Sequence, residues 1–82
     1  MKMENTLYIV IESMDSGKEG GHEVIVHGCF FDRVKAITCM ETKAKECQEK
    51  FDADLEQGDD WFNVIHGEVY FVFEIKEGYI SN

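Results

Sequence analysis

The chain predicts an α+β fold, a two-layer β-β-α-β-β domain with a four-stranded, mainly antiparallel sheet packed on one helix. Three observations predict it. One segment, Phe31 to Gly58, is long enough for a full helix and carries an apolar stripe at helical spacing. Two stretches before it and two after it alternate with the period of a strand. The 82 residues suit one domain, 1–82, and the absence of Pro and of low-complexity segments leaves no linker.

Residues 6–14 read as the first strand, with Leu7, Ile9 and Ile11 alternating with Tyr8 and Val10. Residues 15–21 hold three Gly with Asp and Ser, and form a loop. Residues 22–31 are the second strand. Val24, Val26 and Phe30 lie on one side, Ile25, His27, Cys29 and Phe31 on the other, and Gly28 is a candidate bulge.

The helix follows at once. Val34, Ile37, Met40, Ala44, Cys47, Phe51 and Leu55 form one stripe, Asp32 occupies the N-cap position, and Gly58 the position just past the end. The helix is expected to run to residue 57. Its charges oppose the dipole: Arg33 and Lys35 stand in the first turn, and Asp52, Asp54 and Glu56 crowd the last turns. Each such charge costs roughly 0.3–1 kcal/mol when exposed. Either the helix breaks near Phe51, with Asp52 capping a second short turn, or an acidic end is kept for a partner.

Residues 61–66 are the third strand and His66-Gly67 a two-residue hairpin turn. Residues 68–75 are the fourth, with Val69, Phe71, Phe73 and Ile75 opposite Tyr70, Val72 and Glu74. Lys76, Glu77 and Gly78 end it. One helix covers one face of such a sheet. The other face is expected to carry several of Tyr8, Val10, His27, Tyr70 and Val72, of which Tyr8, Val10, Tyr70 and Val72 form a candidate interface for a partner or a homodimer.

Net charge is −9, and residues 46–60 hold seven acids against Lys50 alone. Direct nucleic-acid binding needs a basic face and is disfavoured. A basic protein partner is favoured by long-range attraction. Apolar content of 44% is that of a folded domain. No apolar run approaches a membrane span, and the N-terminal residues do not lead into a signal peptide. Three cysteines without a C-x-x-C pair point to a reducing cytosol.

Motifs for chemistry are absent or fail. The run Asp52-x-Asp54-x-Glu56 has Gln57 and Asn63 where a calcium loop needs Gly and Glu. The histidines and cysteines have no zinc spacing. Gly17, Gly20 and Gly21 stand in a loop and not ahead of a helix. No enzyme, metal or cofactor is expected.

The run Gly28-Cys29-Phe30-Phe31-Asp32-Arg33-Val34-Lys35-Ala36 passes from strand through aromatics to a capped helix. With the small size and local acidity, it resembles small phage-encoded accessory proteins, among them acidic inhibitors of host defence such as anti-CRISPR proteins and DNA mimics. The resemblance implies inhibition by binding, without catalysis, in the cytoplasm of a bacterial host. The expected function is therefore to block a basic nucleic-acid-binding protein. Glu49, Asp52, Asp54, Glu56, Asp59 and Asp60 would be the contact surface, standing in for phosphates toward Arg and Lys. A merely solvated acidic face is the plain alternative. A different class of function is a homo-oligomeric accessory module assembled through the open sheet face.

Overall fold

The computed structural model describes residues 6–16 and 22–79. The elements are β1 (Thr6–Asp15), β2 (His22–Phe30), α1 (Arg33–Phe51), β3 (Asp54–Gln57), β4 (Trp61–His66) and β5 (Val69–Tyr79). All strand pairs are antiparallel, in the order β2-β1-β5-β4-β3. The fold is α+β, one helix on one face of the sheet. The sheet has five strands where the sequence predicts four.

The extra strand comes from the end of the predicted helix. Asp32 caps α1 as expected, its carboxylate accepting from the Val34 N–H at 2.9 Å. The other end closes earlier, at Asp52 and not Gly58. Asp52 adopts the left-handed conformation, φ 51° and ψ 51°. The Ala53 N–H then reaches the Gln48 carbonyl at 3.0 Å and the Asp52 N–H the Glu49 carbonyl at 3.3 Å. These two bonds satisfy the last turn in a Schellman-type stop. The chain leaves as β3, with Leu55 turned toward the core and Asp54 and Glu56 exposed. A lone apolar residue among polar ones fits either period, which is why Leu55 also extended the helical stripe. Gly58 belongs to the β3–β4 turn, where its N–H donates to the Trp61 carbonyl at 2.9 Å. The Trp61 ring lies over Gly58, in the space a Cβ would need.

Three further readings are corrected. The buried stripe of α1 is Ala36, Met40 and Ala44, flanked by Ile37, Cys47 and Phe51, whereas Val34 is 70% exposed. The two small alanines let the helix backbone approach the sheet. The β4–β5 turn is Gly67-Glu68, one residue later than expected. Positive φ at Gly67 alone, 62°, makes it a type II′ turn, which suits the twist of a hairpin. Finally, β5 runs on to Tyr79, because Lys76 to Tyr79 pair with Thr6 to Ile9.

The β1–β5 register fixes which residues share a face. Val10 stands opposite Ile75 and Glu12 opposite Phe73. Tyr8, Val10, Glu12 and Met14 therefore lie on the helix side with Phe71 and Phe73. Val10, Val64 and Phe73 are fully buried there, with Phe62 and Phe71 nearly so. Tyr8 and Val10 are thus core residues and not open-face residues, while Tyr70 and Val72 do lie on the open face. His27 also leaves the open face. Val10 pairs with Gly28 and Ile11 with Val26, so His27 is the extra residue of a bulge beside Gly28. The bulge turns its ring inward to stack on Phe73, centroids 6.0 Å apart, and separates it from Cys29, which is exposed on the other face.

Phe73→Ala should lower the unfolding free energy by about 3–5 kcal/mol, since it opens the centre of the core. Val34→Ser should change it by less than about 0.5 kcal/mol. Gly58→Ala should cost about 1–3 kcal/mol by displacing the Trp61 ring, and should shift the fluorescence of this single tryptophan. Urea denaturation of the three variants checks the order.

Candidate partner-binding edge

The six carboxylates singled out in the sequence are all exposed. They do not share a helical face. Glu49 sits on the last turn of α1, Asp52 closes the helix, Asp54 and Glu56 lie on β3, and Asp59 and Asp60 form the β3–β4 turn. A helix running to residue 57 would carry Glu49, Asp52 and Glu56 on one side at spacings of three and four; the stop at Asp52 puts Glu56 on a strand instead. What the structure builds is a string of carboxylates along the β3 border of the domain. Asp54 and Glu56 point the same way and are spaced about 6.6 Å apart, two residues of strand.

Elsewhere several acids are paired locally. Lys43 reaches Glu46 at 3.8 Å, Lys45 reaches Glu41 at 3.1 Å, and Lys76 reaches Glu74 at 3.7 Å. Along the β3 border, among the described residues, only Asp60 has a cation, Arg33 at 3.7 Å. Among the described residues, Glu49, Asp52, Asp54, Glu56 and Asp59 have no ion pair. Asp52 adds a backbone detail: Gly would hold the left-handed conformation without the roughly 1–2 kcal/mol that a Cβ meets there.

Next to this border the open face holds a shallow groove of about 330 Å³, lined by Asp60, Trp61, Asn63, Val72, Glu74 and Ile75. Cross-strand pairing places it: Glu56 stands opposite Asn63, Asn63 opposite Val72, and Trp61 opposite Glu74. Trp61 is 38% exposed and Tyr70 48%. Trp61, legible in the sequence as a strand residue, proves to line this site. The signal was present in Asp59-Asp60-Trp61, an aromatic next to two acids at a turn.

A second groove, about 340 Å³, lies between α1 and β2. At its floor the His27 Nε2 meets a Glu12 carboxylate oxygen at 2.7 Å, both side chains largely buried. Cys47 lines the same groove. Burial, and then the Glu12 carboxylate, push the Cys47 thiol up to about 11, against the opposing pull of Lys50. Cys47 is therefore a protonated thiol near neutral pH, a poor nucleophile and a poor metal ligand. Among the described residues, no three His, Cys, Asp or Glu side chains are placed to hold a metal ion. No helix there is long and apolar enough to cross a membrane.

No protein-family model matches the chain, and neither does any curated protein or solved structure.

The cysteines give a direct check. Cys29 should be alkylated fastest, and Cys47 slowly until the pH nears 11. Because folding raises the Cys47 pKa, its contribution to stability is complete below about 9 and is lost as pH rises toward about 11. Cys47→Ala should flatten the fall in stability across that window, measured by chemical denaturation at stepped pH.

Proposed function

We propose that this protein is a non-catalytic binding protein whose acidic β3 border docks on a basic, nucleic-acid-binding surface of another protein and blocks it. The observation that carries this reading is the contrast in charge compensation. Outside that border Glu41, Glu46 and Glu74 have lysine partners, whereas five of the six carboxylates gathered on the β3 side have no ion pair among the described residues. Solvated acids on a small domain gain nothing from being left together, since like charges repel in the folded state. An arginine-rich surface would neutralise them, with forked contacts to pairs such as Asp54 and Glu56. The resemblance to phage-encoded inhibitors supports the further step that the target belongs to a host defence or nucleic-acid machinery.

A homo-oligomeric accessory module is the second reading. The exposure of Val24, 63%, and Val26, 60%, on the open side of an edge strand favours it.

Charge reversal tests the first reading. The variant Asp52→Lys, Asp54→Lys, Glu56→Lys, Asp59→Lys should keep its circular dichroism spectrum, because all four side chains are exposed. The parent protein should bind an arginine-rich peptide, release it progressively with salt, and displace DNA from a basic DNA-binding protein. The variant should do none of these. Unchanged peptide affinity and salt dependence in the folded variant would overturn the reading.

A further inference from the structure

The two edges of the sheet are built in opposite ways. An edge strand presents unpaired N–H and C=O groups, and soluble domains guard it with shortness, charge or Pro. β3 is guarded: it has four residues, three of them exposed and polar. β2 has nine residues, no Lys and no Pro. Val24, Ile25 and Val26 are exposed in succession at 63%, 45% and 60%. Val24 and Val26 lie on the open face, opposite Ser13 and Ile11, and Ile25 on the helix face, opposite Glu12. Apolar side chains are thus bare on both faces of one strand, beside a backbone edge that no other described strand pairs.

We propose that β2 pairs antiparallel with the β2 of a second copy, about a two-fold axis through Ile25. The axis stands perpendicular to the sheet, so both helices lie on one side of a continuous ten-stranded sheet, five strands from each copy. The register follows from the residues. Ile25 meets Ile25 of the second copy, covering on the helix face the side chain that α1 leaves bare. Val24 meets Val26 twice on the open face. Glu23 falls opposite His27, whose ring is turned inward to Glu12, so the one carboxylate of the strand does not face a second carboxylate. Cross-strand pairs of this kind are the unit of sheet stability.

Charge placement selects a second copy as the occupant. Two chains of net charge −9 repel, and the repulsion is least if they meet where the acids are fewest. Asp54, Glu56, Asp59 and Asp60 lie at the opposite border, four strand spacings or about 19 Å from β2. Pairing at β2 leaves both acidic borders outermost and free, so the proposal stands independently of what those borders bind.

Sedimentation of the full chain over a wide concentration range tests it. The expected result is a reversible species of twice 9.5 kDa that persists at high salt. Ile25→Lys and Val26→Lys should each weaken self-association at least about tenfold, equivalent to about 1.4 kcal/mol. Tyr70→Lys, on the open face away from β2, should leave it unchanged. If lysine disturbs the fold by circular dichroism, Val24→Thr with Val26→Thr keeps strand propensity and should weaken association in the same direction. A single 9.5 kDa species at every concentration would overturn the proposal. So would a dimer abolished by Tyr70→Lys and retained in Val26→Lys, which would place the contact on the open face.

Discussion

The pairing of the first strand with the last is the interaction on which the rest of the structure depends. Ten consecutive residue pairs, from Thr6 with Tyr79 to Asp15 with Tyr70, join the two ends of the chain at the centre of the sheet. This ladder closes nearly the whole chain into one loop. The entropy of that closure grows only slowly with length, but it must be met before the central contacts form. Once formed, the ladder sets the parity of every face. It places Val10 and Phe73 under Met40 and the two alanines of α1, and it leaves Ile9, Ile11 and Val72 on the other side.

It also assigns the edges. With β1 and β5 central, β2 and the β4–β3 hairpin must flank them, and one helix cannot cover both faces of five strands. The helix stops at Asp52 in time to let β3 form, so the acidic residues that follow become a border and not a helical face. On the other flank the bulge at His27 turns an imidazole inward to Glu12. A short acidic edge, a long apolar edge and a half-covered open face therefore follow from a single long-range pairing.

Most of the architecture was legible in the sequence because it depends on local signals. The alternation of β4 and β5 and the Asp32 cap each act within a few residues. The helix end was only half legible: the charges opposing the dipole pointed to a break near Phe51, where α1 does end, but Asp52 in a left-handed conformation looks no different in sequence from Asp in a helix, and Gly58 offered a more conventional stop. Face assignment was not legible either. β1 is apolar on both sides at its centre, and only its register with β5 decides whether Tyr8 and Val10 or Ile9 and Ile11 are buried. The exposure and composition of the acidic site could be read directly; its shape could not, because it depends on the helix end.

The central claim is that the two sheet edges differ in kind, β3 kept open and acidic, β2 closed by a second copy. Amide hydrogen exchange followed as a function of protein concentration tests it most directly. The account predicts that amides at the centre of β1 and β5 are protected at every concentration. Those of β2 between Glu23 and His27 should gain protection as concentration rises, while those of β3 between Asp54 and Gln57 should not. Concentration-independent exchange along β2 would contradict it.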